Sequence, residues 1–309
     1  MGSNPTLTAT LRPQGFGWLA AKTWQHAPQR HSPRMLDRAT AYGLDFLFPA
    51  GDDTVGASLK RFGEFARPEV DLLIACAAAE TGTFIDVGAN IGAIALPFAK
   101  ARPGWRVVAL EAHRGLCNVL AANALNNGLY NVEVMHAAAG PETGLVNFPA
   151  PSLALTANYG TMSLARVTGA AEPTRMFRLD DLAPSDTALV KIDVEGYEPQ
   201  VLAGAERLLA GGRVAWLAEA SEQNATARRE TLRILMASGL RPYWVFAPFV
   251  TPASERGGEP PSRWMGDSNV LAVPADQHAP WPLAGVSAAD EAPPKDPGAY
   301  GYLARYGYD

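Results

Sequence analysis

Short runs of hydrophobic residues alternate with longer amphipathic segments through the middle of the chain. The runs are rich in aliphatic and β-branched residues and end in polar ones, which is typical of strands. Strands are predicted at 83–87, 106–110, 132–136, 188–193 and 214–219, and helices begin near Gly92, Arg114 and Pro199. Nearly continuous hydrophobic strands that alternate with helices predict an α/β fold with a mostly parallel sheet and helices on both faces.

The pattern is weaker before and between these elements. Residues 44–59 suggest a hairpin or strand pair with its turn at Pro49-Ala50-Gly51, and Pro68 is expected to open a helix over about 69–80. Residues 140–180 and 247–266, which contain proline and glycine, read as long irregular inserts. Because such inserts are often functional in compact domains, the first is predicted to be a substrate-side loop.

The two ends differ in composition from the middle. Residues 1–41 hold five basic side chains and one acid, so residues 1–43 are predicted to be a basic extension that packs on the main body or contacts an anionic partner. Residues 275–309 are rich in Pro, Ala, Gly and Tyr. They are expected to form a loosely ordered tail, with tyrosine docking on the domain or on a second subunit as the alternative. Residues 44–274 remain as the main domain.

Composition narrows the class of protein. Hydrophobic residues make up 48% of the 309 residues and charged residues 18%, which excludes a wholly disordered or fibrous chain. The net charge of −5 predicts no nucleic-acid partner. No membrane span or secretion signal is apparent, so a cytoplasmic location is expected, with Cys76 and Cys117 reduced and packed.

The strongest chemical signal is Asp86-Val87-Gly88-Ala89-Asn90-Ile91-Gly92, an acid at a strand end followed by glycines four apart. Such a turn is expected to let a ligand lie against backbone with helix N–H groups facing it. Glu111 ends the next strand, where an acid can accept hydrogen bonds from both hydroxyls of a ribose. The two features together predict a nucleoside-bearing cofactor.

S-adenosylmethionine fits this cofactor site better than a dinucleotide. Pyrophosphate-binding turns carry Gly-x-Gly-x-x-Gly, and this turn lacks the closely spaced first pair. S-adenosylmethionine instead presents an ammonium and a carboxylate beside a sulfonium, which suits Asp86 next to exposed backbone. A nicotinamide-dependent (NAD) dehydrogenase stays open as an alternative, as does a cofactor-sensing protein without catalysis.

A second group of polar residues, Lys191 to Pro199, ends one strand and enters a helix. Asp193 precedes the helix and should lie at the carboxyl edge of the sheet, where open α/β folds bind ligands. Glu195 and Glu198 could simply stabilise the helix N-terminus. Lys191 lies in a hydrophobic strand and needs a carboxylate partner, for which Asp86 and Glu219 are the candidates.

These motifs, taken in order, resemble S-adenosylmethionine-dependent methyltransferases of the FkbM family. The resemblance covers about residues 44–274. It differs from the family at Ala112, where members often have proline after the ribose acid. It rests on the following segments: Gly63-Glu64, DVGANIG, Glu111, Asn158 to Leu164, Leu179 to Leu182, KIDVEGYE, Val201 to Ala205, and Ser268 to Ala272.

The resemblance implies a class I methyltransferase (Rossmann-like) sheet of seven strands with the last antiparallel. It also implies O-methylation of a hydroxyl on a sugar, glycoconjugate or polyketide-like product, so the expected partner is a small-molecule or glycan acceptor. A homodimer is left as a possibility. The predicted cofactor-binding residues are Glu64, Asp86, Gly88, Ala89, Asn90, Gly92, Glu111 and Ala112, and the predicted substrate residues are Asn158 and Tyr159.

Asp193 is the predicted catalytic base, because an alcohol is a poor nucleophile until a carboxylate takes its proton. Glu195 and Glu219 are alternates or orienting groups, and His113 and His136 are weaker candidates. No metal ligand is assigned. An alternative in which Asp193, Glu195 and Glu219 hold a divalent cation stays open.

Overall fold

The computed structural model describes residues 35–258 and 262–308. Most of the predicted basic extension therefore lies outside the described residues. The strands are β1 (Leu36–Ala41), β2 (Leu44–Pro49), β3 (Gly82–Val87), β4 (Trp105–Glu111), β5 (Val132–His136), β6 (Ala138–Ala139), β7 (Gly144–Pro149), β8 (Ala171–Phe177), β9 (Thr187–Ile192), β10 (Ala215–Glu219), β11 (Arg241–Pro248), β12 (Gly266–Val273) and β13 (Ala284–Gly285). The α-helices are α1 (Val55–Phe62), α2 (Arg67–Cys76), α3 (Ala95–Ala101), α4 (Arg114–Asn126), α5 (Leu179–Leu182), α6 (Glu198–Ala203), α7 (Glu206–Ala210) and α8 (Ala225–Ala237).

The main sheet has the strand order β13-β11-β12-β10-β9-β3-β4-β5. Strands β5, β4, β3, β9 and β10 are parallel neighbours, while β12 runs antiparallel to both β10 and β11. The predicted sheet of seven strands with the last antiparallel is thus confirmed, and β13 adds a two-residue eighth strand at the β11 edge. All six residues of β3 are buried, as expected of a central strand covered on both faces.

The sequence prediction was wrong about the first hairpin. Strand β2 pairs with β1, on its N-terminal side, and the turn is Tyr42-Gly43, where both residues have positive φ. The segment after Pro49 forms helix α1 instead of a second strand. Helix α2 starts where Pro68 predicted, but it ends at Cys76.

The insert at residues 140–180 is more regular than its composition suggested. Strands β7 and β8 pair antiparallel, and β6 pairs parallel with β8, which gives a second, three-stranded sheet. Proline is tolerated here because Pro149 is the last residue of β7, and Pro173 lies in the part of β8 that pairs with β7 alone. The intervening residues carry Asn158 and Tyr159 to the carboxyl edge of the main sheet.

The C-terminal segment packs on the domain, so the prediction of a loosely ordered tail is wrong for residues 275–308. Its tyrosines, Tyr300, Tyr302, Tyr306 and Tyr308, are all buried. The Tyr302 hydroxyl donates to the Phe246 carbonyl at 2.7 Å and accepts from the Phe246 N–H at 2.8 Å. The hydroxyl thereby continues the hydrogen bonding of β11 beyond its short pairing with β13.

Removing that hydroxyl should destabilise the protein. A Tyr302→Phe variant removes two hydrogen bonds to the buried backbone of β11, and we expect a loss of roughly 1–3 kcal/mol in the free energy of unfolding. Denaturant titration measures the loss. Tyr130→Phe is the control, because Tyr130 is 86% exposed. Equal stability of the two variants would contradict the role given to Tyr302.

In the described part of the chain, every helix is too short or too polar to cross a lipid bilayer.

Candidate functional site

A cavity opens at the carboxyl edge of the main sheet, where β3 lies between β4 and β9. The chain order reverses at this point, which is where open α/β sheets form their ligand crevice. One side of the cavity is formed by the turns after β3 and β4, and the other by the turn after β9. Its lining includes the predicted residues Asp86, Gly88, Ala89, Asn90, Glu111, Ala112, Asn158, Tyr159, Asp193 and Glu195.

The turn after β3 is built differently from the prediction. The N–H groups of Gly88 and Ala89 both donate to the Leu110 carbonyl, at 3.0 and 2.9 Å. The N–H of Asn90 donates to Glu111 at 2.8 Å, and α3 begins only at Ala95. These N–H groups are therefore already hydrogen-bonded within the protein. They are not the free donors to a ligand that the glycine spacing predicted.

The two glycines are required by packing. A Cβ atom on Gly88 would lie 2.0 Å from the carbonyl oxygen of Asp193, and one on Gly92 would lie 2.5 Å from Leu120. Both glycines also have positive φ, near +85° and +89°. Gly88 lets the turn after β3 touch the turn after β9, and Gly92 lies beneath the cavity and does not line it.

Glu111 links the turn after β3 to the turn after β4. Its Oε2 accepts from the Asn90 N–H at 2.8 Å, and its Oε1 accepts from the His113 N–H at 2.7 Å. Burial raises the pKa of Glu111 to about 7, against the lowering effect of these two hydrogen bonds. Each carboxylate oxygen can accept a second hydrogen bond, so Glu111 can still bind hydroxyls in the cavity.

Both candidate histidines have local structural roles. His113 caps α4, because its Nδ1 accepts from the N–H groups of Gly115 and Leu116. His136 Nε2 lies 3.0 Å from the Ala112 carbonyl oxygen. Neither residue is among those that line the cavity.

Lys191 joins the two sides of the site. Its Nζ lies 3.1 Å from Asp193 Oδ2, 3.5 Å from Asp86 Oδ1 and 3.9 Å from Glu69 Oε1. The predicted pairing with Asp86 is present, because the two residues are register partners on β3 and β9. Glu219 is not an ion-pair partner of Lys191, so that alternative is wrong. Burial lowers the pKa of Lys191, but the three carboxylates outweigh it and raise the pKa above its ordinary value.

Asp86 is the least satisfied acid of this group. It is fully buried, and apart from the Lys191 ammonium its two oxygens have no hydrogen-bond partner among the described residues. Burial raises its pKa above the usual range. A second cationic group in the cavity would compensate for the loss of water around this carboxylate.

Three acids converge at the ends of β9 and β10. Asp193, Glu195 and Glu219 each offer a carboxylate oxygen, and these oxygens lie within 4.8 Å of one another. Burial and the neighbouring Asp193 raise the pKa of Glu195 to about 8, and burial also raises that of Glu219. Glu198 instead holds the turn, since its Oε1 accepts from the N–H groups of Val194 and Gly196.

Three predicted residues, Glu64, Gly92 and Glu219, do not line the cavity, and several lining residues were not predicted. Glu64 is buried against Thr251, whose N–H and hydroxyl both donate to its Oε1, and it does not line the cavity. The Tyr159 hydroxyl donates to the Leu155 carbonyl at 2.7 Å, so the hydroxyl is used within the protein and the residue forms part of the cavity wall. The prediction missed Phe65, Phe148, Phe249 and Asp267 in the lining, and Glu69 beside Lys191. Asp267 directly precedes the Ser268 to Ala272 motif, which is the signal that could have identified it.

Comparison with known proteins gives a family for part of the chain. Residues 86–237 match the model of the methyltransferase FkbM domain. No curated protein sequence matches the chain.

Among solved structures, a methyltransferase FkbM from Methylobacillus flagellatus is similar at 19% identity and a TM-score of 0.42, over 62% of this chain and 44% of that one. An O-methyltransferase from Bacillus cereus, solved with SAH, has 12% identity and a TM-score of 0.43, over 70% of this chain and 84% of the other. A SAM-dependent methyltransferase from Agrobacterium tumefaciens has 12% identity and a TM-score of 0.44, over 82% of this chain and 79% of the other. This chain thus spans less than half of the Methylobacillus protein.

Proposed function

Since residues 86–237 belong to the methyltransferase FkbM family of domains, we propose that the protein transfers a methyl group from S-adenosylmethionine to a hydroxyl oxygen of a small molecule or glycan. A sugar, a glycoconjugate or a polyketide-like product is the expected acceptor. One observation carries the proposal: the acids of the cofactor side, Asp86 and Glu111, and those of the acceptor side, Asp193 and Glu195, line a single cavity.

The cofactor side suits the two ends of a nucleoside linked to an amino acid. Glu111 lies at the end of β4, where its carboxylate can accept hydrogen bonds from the ribose hydroxyls. Asp86 is buried and lacks hydrogen-bond partners, which suits the ammonium of a methionine moiety. Ala89, Asn90 and Ala112 form the walls between these two acids.

Asp193 is the residue proposed to act on the acceptor. When bound, S-adenosylmethionine supplies a methyl group on a positively charged sulfur. Asp193 is partly exposed on the cavity and is held by Lys191 at 3.1 Å, which fixes one carboxylate oxygen. Its role is to orient the acceptor hydroxyl and to take the proton as the new O–C bond forms. Glu195 and Glu219, whose carboxylate oxygens lie within 4.8 Å of an Asp193 oxygen, are proposed as orienting groups.

A direct experiment tests the proposal. The purified full-length protein is titrated with S-adenosylmethionine and, separately, with NAD by isothermal calorimetry. It is then incubated with methyl donor and a panel of hydroxylated acceptors, and S-adenosylhomocysteine is measured. Binding of NAD alone would favour the dehydrogenase alternative. Donor binding without turnover on any acceptor would favour the cofactor-sensing alternative.

The cofactor assignment predicts a loss of affinity in a Glu111→Ala variant. Two ribose hydroxyls lose a charged acceptor, so we expect S-adenosylmethionine binding to weaken by roughly 1.5–3 kcal/mol, about 10- to 150-fold in Kd. Calorimetry measures the affinity. The variant also removes the acceptor of two backbone N–H groups, so a thermal melt is needed to check that it is still folded.

Glu133→Ala is the matched control, because Glu133 is exposed on the neighbouring strand β5 and pairs with Arg106. It should bind the donor like the wild type. Unchanged affinity in a folded Glu111→Ala protein would show that Glu111 serves only to link the turns after β3 and β4.

A further inference from the structure

A cluster of three acidic side chains lies at the ends of β9 and β10. We propose that Asp193, Glu195 and Glu219 form a binding site for a hard divalent cation, of the Mg²⁺, Mn²⁺ or Ca²⁺ class. The role of this cation in holding the acceptor rests on the proposed function, but its binding can be measured without any acceptor.

The geometry of the three side chains suits such an ion. One oxygen from each residue lies within 4.8 Å of the other two. Two ligands on opposite sides of a cation are separated by about 4.0–4.2 Å for Mg²⁺ and up to about 5 Å for Ca²⁺. Asp193 and Glu195 come from the turn after β9, and Glu219 is the last residue of the neighbouring parallel strand β10. The sheet therefore fixes the spacing between the two sets of ligands.

Glu219 gives a second observation that points to a ligand. It is only 6% exposed, and its Oε2 is buried with no hydrogen-bond partner among the described residues. Its carboxylate is directed toward Asp193 and Glu195. A buried carboxylate without a partner is unfavourable, so a group that compensates for its lost hydration is expected at this point.

Among the described residues no protein cation forms an ion pair that supplies this compensation, although the charge of Arg166 lowers the pKa of Glu195 against the effect of burial. Within residues 35–258 and 262–308, no ion pair reaches Glu195 or Glu219, and Lys191 is shared among Asp86, Glu69 and Asp193. Asp267 lines the same cavity and adds a further acid. The acids that face this end of the cavity thus outnumber the basic groups paired with them.

The position of the cation defines its role. Asp193 and Glu195 line the cavity, so a cation bound to them would have coordination positions on the cavity side, where waters or the acceptor hydroxyl can bind. A cation here would hold the acceptor oxygen and lower the pKa of its hydroxyl, and Asp193 would then act as a ligand of the cation instead of as the free base of the metal-free proposal.

Manganese is the probe that tests the site. The full-length protein is freed of metal with a chelator and titrated with Mn²⁺, and bound ion is measured by electron paramagnetic resonance. We expect one Mn²⁺ per chain, displaced by Mg²⁺ or Ca²⁺. Glu219→Gln and Glu195→Gln should each weaken binding by about tenfold or more. Glu80→Gln is the control, because Glu80 is exposed at the opposite end of β3.

The proposal is overturned if no Mn²⁺ binds at millimolar concentration, or if neither glutamine variant changes the affinity. The first result would mean that the acids share protons instead. Should Glu219→Gln fail to fold, Glu195→Gln still carries the test, because Glu195 lies in a partly exposed turn. Donor affinity measured with chelator present separates this inference from the proposed function: a protein that binds donor but no Mn²⁺ contradicts only the cation site.

Discussion

An Asp193→Asn variant is expected to form product roughly 10²- to 10⁴-fold more slowly than the wild type, with little change in affinity for the methyl donor. Asparagine keeps the shape of the side chain and much of its hydrogen bonding, but it cannot take the proton of an alcohol. The loss should appear in single-turnover rates measured at saturating donor.

The same variant separates catalysis from a structural role. Asp193 caps no helix, because α6 begins at Glu198, and its structural contact is with Lys191. An asparagine oxygen can still accept from Lys191, so a purely structural Asp193 would leave turnover nearly intact. Lys191 keeps Asp86 and Glu69 as partners, so we expect the variant to fold. Asp276→Asn, an exposed position after β12, is the control.

A folded Asp193→Asn protein that retains more than about half of the wild-type rate would remove Asp193 from the mechanism. Glu195 and Glu219 would then be the candidates. Rates measured with and without chelator identify a cation requirement: activity lost with chelator and restored by Mg²⁺ or Mn²⁺ belongs to the proposed metal site.

A Gly88→Ala variant is expected to lose several kcal/mol of stability. The new Cβ would lie 2.0 Å from the carbonyl oxygen of Asp193, and that oxygen belongs to backbone that cannot rotate away. The positive φ of Gly88 adds a cost of about 1–2 kcal/mol for any residue with a Cβ. We expect roughly 3 kcal/mol or more in total, seen as a marked drop in Tm or a failure to accumulate folded protein.

Gly212→Ala isolates the contribution of the clash. Gly212 also has positive φ, near +61°, but no atom lies within 4 Å of the position its Cβ would take. This control should lose only about 1–2 kcal/mol. Similar losses in the two variants would show that the Gly88 turn can move away from Asp193 at little cost.

The parallel sheet could be predicted because its signal is local. Each of its central strands is a run of hydrophobic residues with a polar residue at its last or next-to-last position, such as Asp86 in β3 and Glu111 in β4. The proximity of Asp86 and Lys191 also followed, since polar residues at the ends of neighbouring parallel strands meet at one edge. Strand β1 was missed because its sequence, Leu-Asp-Arg-Ala-Thr-Ala, alternates weakly and is largely exposed.

The site was predictable only where its residues follow the strands. Glu69 reaches Lys191 from α2 through a tertiary contact that leaves no mark on the local pattern, whereas Asp267, on β12, had only the adjoining Ser268 to Ala272 motif as a signal. The role of the glycines was also predicted wrongly, because the spacing of glycines in a turn does not show which other segment of backbone packs against them. Gly88 faces Asp193, which lies 105 residues later in the chain.

The contacts that hold Thr251 and the C-terminal segment join residues far apart in the chain, and this has a consequence for how the protein folds. Glu64 is bound by Thr251, 187 residues away, and Tyr306 is bound by Asp71, 235 residues away. Closing loops of this length costs entropy before any contact forms, and proteins rich in distant contacts fold slowly. In refolding experiments, the wall that carries Phe249 should therefore assemble after the parallel sheet, and binding competence should return more slowly than secondary structure.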